Sequence, residues 1–199
     1  MFERLGCAMN GRIQLLRRAS AGFTLVELLI TVAIIAILAA IAVPVINSNT
    51  PASEANSLLG ALQFARTSAV KLGQNIVVCP STDGATCTGS TSWSVGWIVL
   101  APQNGLCSST GASKDVVLQV QSAFTNQDTA TFTPLNGNSI SAFCYSQIGF
   151  SLVSNTGWVQ FDSNPANLAR RRCLSVVGVG HMQVFKHGQT DTPGVVSCP

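Results

Sequence analysis

Gly22–Val43 reads GFTLVELLITVAIIAILAAIAV, an almost unbroken apolar run whose one carboxylate, Glu27, lies near its start. A run of this kind has no polar face to give to water. It must therefore be discarded, sit in lipid, or pack among apolar neighbours. Four arginines precede it (Arg4, Arg12, Arg17 and Arg18), and the first cation beyond it is Arg66. As a helix, Phe23–Val43 would rise about 31 Å, enough to cross the hydrocarbon core of a bilayer. The positive-inside rule then keeps the N-terminal side in the cytoplasm and sends the bulk of the chain outward.

Three readings of the run compete. A secretory signal has a shorter apolar core followed by a small-residue cleavage site. Ala39-Ala40-Ile41-Ala42 imitates such a site, but the core is long for it. A plain anchor leaves Glu27 unexplained, because a carboxylate on a spanning helix costs about 2.5–3.5 kcal/mol at the centre, less toward an end, and marks function. In the third reading the chain is cut ahead of the run, which stays on the mature protein. Gly22-Phe23-Thr24-Leu25-Val26-Glu27 resembles the type IV prepilin motif. The resemblance implies cleavage between Gly22 and Phe23 by a prepilin peptidase, followed by N-methylation of Phe23. It also implies that the helix leaves the membrane to pack against like helices in a filament, where Glu27 meets a neighbour's terminal ammonium. Pro44 falls where pilins carry a helix-bending proline. A start at Met9 instead of Met1 would shorten the leader and remove Cys7.

The formal charge of +3 comes from the leader. Residues 1–22 hold four Arg and one Glu, whereas Phe23–Pro199 holds seven basic and seven acidic residues, so the mature chain is neutral. Net charge thus gives no case for nucleic-acid binding, which would need a local patch. Cys7 precedes the run and six cysteines follow it: Cys79, Cys87, Cys107, Cys144, Cys173 and Cys198. An even set beyond an export-type segment reads as up to three disulfides, although six cysteines allow 15 pairings. The rival reading, a metal site, lacks any CxxC or any Cys/His pair at ligand spacing.

Beyond the run, Pro44 and the turn formers Asn47-Ser48-Asn49-Thr50-Pro51 predict a break or short unwound stretch. Ser53-Glu54 opens a second helical pattern in which Leu58, Leu62, Ala65, Ala69 and Leu72 recur at helical spacing, and Gly73 stops it. Strand patterns then take over at 75–79, 94–100, 115–120, 129–133, 148–152, 157–161, 173–177 and 181–185. Turn clusters separate them, among them Asp83-Gly84, Asn104-Gly105 and Asn136-Gly137-Asn138. One helix followed by a run of strands predicts an α+β fold with an antiparallel sheet. Trp93, Trp97 and Trp158 read as packing residues more readily than as base-stacking platforms.

This outer half resembles the FimT/FimU minor pilins and the related GspH pseudopilins. The residues that carry the likeness are Ala61–Val70, Val78-Cys79-Pro80-Ser81 with Asp83-Gly84 and Cys87, Trp93, Gly96-Trp97-Ile98-Val99, Ile148-Gly149-Phe150, Gly157, Cys173–Gly180 and Cys198. Leu106–Ser146 diverges. The resemblance implies a pilin fold, in which a long N-terminal hydrophobic helix packs on an antiparallel β-sheet head with disulfides. It implies the pairs Cys79–Cys87 and Cys173–Cys198, which leaves Cys107–Cys144 as the third. The expected organisation is a cleaved leader at 1–22, a transmembrane or filament-core helix at 23–47, the second half of the pilin helix at 48–73, and a periplasmic head at 74–199.

Some FimT-type pilins bind DNA, and the resemblance implies that they use a Gly-Arg-x-Arg motif on the C-terminal strand. Here that position reads Gly180-His181-Met182-Gln183, with both arginines missing. A local alternative is the run Arg170-Arg171-Arg172, with Lys186 and His187 near the end of the next strand. Paired as a hairpin, those strands would bring the charges together for weak, salt-sensitive contact with duplex DNA. Enzyme motifs are absent: there is no G-x-S-x-G, no metal-spaced His cluster and no phosphate-binding glycine loop. The reading is a minor type IV pilin with no enzymatic activity and no cofactor. It waits in the inner membrane with its head in the periplasm, then joins other pilins to prime or cap a fibre. A GspH-type pseudopilin of type II secretion and a dedicated DNA-uptake receptor are the alternatives.

Overall fold

The computed structural model describes residues 23–48, 50–107, 115–135, 142–151, 157–192, 194 and 196–199, without the side chains of 40–48. The leader with Gly22 and Cys7, the side chain of Pro44 and the turn at 136–138 lie outside the described residues. Two compact units divide the chain, Met1–Val43 and Pro44–Pro199.

Helix α1 spans Leu25–Ser48, the greater part of it in the first unit. Thr24 caps it: its Oγ1 accepts the Glu27 backbone N–H at 3.2 Å. The described side chains from Phe23 to Ala39 are exposed on every side of the helix, Leu25 by 80% and Ile35 by 65%. Among the described residues no helix is long and apolar enough to cross a membrane. The last four residues of the apolar run, Ala40–Val43, are among those without described side chains. The helical backbone runs through Pro44 to Ser48 and α2 begins at Thr50, so the break expected over Asn47–Pro51 falls on Asn49, which lies outside the described residues. A proline forfeits one ladder bond, and the residues on either side still form theirs.

In the second unit, α2 spans Thr50–Leu72 and begins ahead of the expected Ser53. Pro51 occupies the first turn, where the missing N–H has no intrahelical acceptor anyway. Thr50 Oγ1 donates to Asp128 Oδ2 at 2.8 Å, which fixes that end. Ala55, Leu58, Ala61, Leu62, Ala65 and Ala69 form the buried stripe, and Gly73 ends the helix with φ +64°.

The strands are β1 (Ile76–Pro80), β2 (Trp97–Ala101), β3 (Val116–Gln121), β4 (Thr129–Pro134), β5 (Phe143–Tyr145), β6 (Gly157–Asp162), β7 (Arg172–Val176) and β8 (Met182–Lys186). They make two four-stranded antiparallel sheets, ordered β3-β2-β1-β5 and β4-β6-β7-β8, where one sheet was expected. The chain changes sheet between Gln121 and Thr129, then returns with β5 to the free side of β1. A stitch at Ser92–Trp93 also links the two: Ser92 bridges Thr131 and the Trp93 N–H donates to Ala130 O at 2.7 Å. A second correction concerns 148–152. Gly149 takes φ +79° in a turn, and only Ser151 bridges back to Tyr145, so no strand forms over the described residues.

Helix α2 touches β1 and β5 of one sheet and β6, β7 and β8 of the other. The main core is shared by both sheets and includes Leu58, Leu62, Ile76, Val78, Trp93, Trp97, Phe143, Val159, Phe161 and Leu174. Strand alternation sends the intervening residues to the back faces. Val77, Cys79, Ile98, Leu100 and Cys144 form one back cluster, and Cys173, Phe185, Val196 and Cys198 the other. Both are buried, which explains why β1 and β2 read as continuous apolar runs rather than alternating ones. The disulfides Cys79–Cys87, Cys107–Cys144 and Cys173–Cys198 fasten the covering segments. Gly96, at φ +96°, lets β2 start against β3: a Cβ there would stand 2.4 Å from the Gln121 carbonyl oxygen.

Candidate functional site

Thr24-Leu25-Val26-Glu27 is the start of a helix written in sequence, a Thr three residues ahead of a Glu. The cap fixes the first turn of α1 and places Glu27 on it, exposed, at the end where the helix dipole favours a negative charge. Thr31 Oγ1 returns its proton to Leu28 O at 2.8 Å, so that hydroxyl adds no free donor to the apolar surface. The Thr-x-x-Glu signal for this cap is written in the sequence beside the carboxylate.

The expected basic edge does form in part. Arg172 and Lys186 are register partners on β7 and β8. Arg170 and Arg171 occupy the turn ahead of β7, closed by their N–H groups on Asn167 O at 3.0 and 3.2 Å. The side chains have local work, however. Arg171 Nε pairs with Asp162 Oδ1 at 2.5 Å, and its Nη1 donates to Pro199 O at 2.6 Å. Arg172 Nη1 bonds the carbonyls of Ala169 and Arg171 at 3.1 and 2.8 Å. His187 Nδ1 lies 2.7 Å from Pro199 O. The Arg171 charge is therefore matched by Asp162, while Arg170, Arg172 and Lys186 have no carboxylate partner among the described residues. The third disulfide holds Pro199 beside this edge through the neighbouring Cys198.

Base stacking has no platform in the core tryptophans. Trp93 and Trp97 are fully buried, with their ring centroids 6.5 Å apart. Trp158 is half-buried against the third disulfide's cluster. Among the described residues no group of His, Cys, Asp and Glu is placed to hold a metal ion. His181 and His187 flank opposite ends of β8.

One acidic site escaped the sequence reading. Glu54, on the first turns of α2, has a buried Oε2 with no hydrogen-bond partner. Burial, and then the charge of Asp128, push its carboxyl up to about 7, partly offset by the Asn126 amide. Asp128 itself is buried and accepts from Thr50, Asn126 and the Asn164 N–H. An unfolded glutamate ionises near 4.5. The folded state holds the proton longer, so Glu54's favourable contribution is full below about 4.5 and is lost as pH rises to about 7. The urea midpoint is expected to fall between pH 5 and pH 7.5, and Glu54→Gln to flatten that fall and raise the midpoint at pH 8. An unchanged slope in the variant would contradict the assignment.

Two family models match the chain. That of type II transport protein GspH covers residues 54–180, and that of the prokaryotic N-terminal methylation motif covers residues 17–43. The head's fold is similar to that of the type IV minor pilin FimU of Pseudomonas aeruginosa. In one crystal form the likeness has a TM-score of 0.52 at 19% identity, over 69% of this chain and 89% of that one. A second crystal form of the same protein gives 0.48 at 20% identity, over 67% and 90%. No curated protein sequence matches the chain.

Proposed function

This chain belongs to the GspH family of minor type IV pilins and pseudopilins, and from that premise we propose that it is a minor pilin, cut between Gly22 and Phe23 by a prepilin peptidase, methylated at Phe23 and built into a pilus to prime or cap it. The observation that carries this reading is α1 itself. Its described side chains are apolar around the whole circumference apart from Thr24, Glu27 and Thr31. Such a helix needs apolar surroundings on all sides, first lipid and then a bundle of like helices. Before assembly the subunit sits in the inner membrane with its head in the periplasm. The deciding experiment is a deletion of the gene scored together for surface pili, secretion and DNA uptake. Loss of pili supports the proposal. Intact pili with failed secretion would replace it by the pseudopilin reading, which the match to a type II transport protein favours.

A DNA contact at the β7–β8 edge is a further part of this proposal, favoured by the direct pairing of Arg172 with Lys186. With Arg170 that makes three available charges, so duplex binding would be weak, with a log–log salt slope of about −2.7. Arg172→Glu with Lys186→Glu is expected to abolish a gel shift seen at low salt. Arg171 is unsuitable for this test, because removing it takes the paired charge from Asp162 and leaves that carboxylate with the Gln160 amide. No shift by the parent chain at low salt would end the DNA reading and leave the pilin reading untouched.

A further inference from the structure

A cleft of about 500 Å³ opens between α2 and the turn joining β7 to β8, lined by Gln63, Arg66, Thr67, Gly180, His181 and Met182. Arg66 is half-buried there, and its Nη1 donates to Gly180 O at 2.9 Å. No Asp or Glu pairs with it among the described residues, where the ion pair found joins Arg171 to Asp162. A guanidinium carries five N–H donors, so one carbonyl leaves most of them unused. Behind it lies Tyr145, fully buried, its hydroxyl donating to Met182 Sδ at 3.2 Å. Burial pushes this phenol well up, partly offset by Arg66, so it stays neutral and offers Arg66 no counter-charge.

The position of the guanidinium is set by backbone. Gly149 and Gly180 both take positive φ, and their turns close over it. A Cβ at Gly149 would stand 3.4 Å from Arg66 Nε, and one at Gly180 3.4 Å from its Cζ and 3.0 Å from Gly149 O. A pre-positioned, partly desolvated cation without a counter-ion is a binding feature, because a matching anion removes the cost of its burial.

We propose that this cleft is a socket for a single carboxylate side chain presented by another protein. Arg66 grips it with two parallel N–H bonds, and the Gln63 amide and the exposed His181 ring stand at the rim. The charge pattern selects a lone carboxylate over a polyanion. Arg66 is the cleft's one permanent cation, and Lys186, with its β7 partner Arg172, lies at the other end of β8, about 13 Å along the strand. Val70 and Val179 beside the cleft are exposed by 55% and 63%, apolar surface that suits the flank of a protein partner better than a sugar–phosphate backbone. The socket requires only that some acidic partner exists, and it stands whether the chain serves a pilus or a secretion system.

The test uses the full chain in detergent micelles, labelled with ¹⁵N and titrated near neutral pH with acetate, with chloride at equal ionic strength as the control. Acetate is expected to move the Arg66 Nε–H signal and the Gly180 and Met182 amides in a saturable way, with chloride giving no such shift. Arg66→Gln should lose the response while the rest of its spectrum stays in place. Arg66→Lys keeps the charge but not the paired donors and should bind acetate more weakly. An identical response to chloride, an acetate shift that persists in Arg66→Gln, or undiminished affinity in Arg66→Lys would each overturn the socket. So would inorganic phosphate that moves Arg172 and Lys186 together with Arg66, since that describes a diffuse anion-attracting surface.

Discussion

Trp93→Ala is expected to destabilise the head by about 3–5 kcal/mol, read as a fall in the urea midpoint by circular dichroism under oxidising conditions. The indole is wholly buried. It lies 5.2 Å from the Phe143 ring and 6.5 Å from Trp97, at the place where the two sheets are stitched together. Truncation removes one of the two largest buried side chains at that junction. The backbone bond from Trp93 to Ala130 remains to hold the surrounding chain, so the site cannot collapse freely into the space. Domains of ordinary stability have about 5–15 kcal/mol in hand, and a loss of this size consumes much of it. Trp158→Ala is the comparison. That ring is half-buried on a back face beside a disulfide and should cost clearly less. Equal losses at the two positions would contradict the assignment of Trp93 to the shared core.

Glu27→Ala is expected to leave leader processing intact and to lower incorporation into filaments by a factor on the order of 10²–10³, measured by immunoblot of sheared pili against membrane-retained subunit. The local contributions of Glu27 are small. Its attraction to the helix dipole is worth about 0.3–1 kcal/mol, and the cap bond uses its backbone N–H, which alanine also has. On the proposed reading the large term lies between subunits. If the methylated amine of a neighbour is buried against Glu27, removing the carboxylate leaves an unpaired charge among apolar helices, at a cost of about 3–5 kcal/mol. Thr24→Ala separates the two effects, since it removes the cap for about 1 kcal/mol and keeps the carboxylate. Comparable assembly defects in the two variants would show that Glu27 acts through the helix start and not through a partner.

The features legible in the sequence were those set by short-range chemistry. The helical stripe from Leu58 to Ala69 is the buried face of α2, and most strand patterns fall within a residue or two of the observed strands. Legibility ended where a residue's role depends on partners distant in sequence. The three-residue strand at Phe143 lies within the divergent stretch and exists because β1 has a free side to pair with. Ile148–Leu152 has the composition of a strand, but Gly149 turns there instead, over Val70 and Arg66 of the helix. The division into two sheets depends on where the chain crosses over after Gln121, and no periodicity records that. At the basic edge the sequence shows three consecutive arginines. Only the fold shows that the middle one is matched by Asp162, nine positions earlier. Glu54 was invisible for the same reason, because its proton is held by burial and by Asp128 across the head.

The covering segments behind the sheets bear on how such a chain can vary. Each is moored by a cysteine bond to a strand whose other face belongs to the shared core: Cys79 on β1, Cys144 on β5 and Cys173 on β7. Where such a segment carries no strand and no buried side chain, it can be rewritten more freely than the strand it covers, because the strand's position is also set from the opposite side. The head is therefore a natural site for grafting. A foreign epitope placed after Gly89, which is exposed with open space around it, should be displayed without disturbing α2, and the same tolerance lets a fold persist when only 19% of its residues coincide with those of another chain of similar fold.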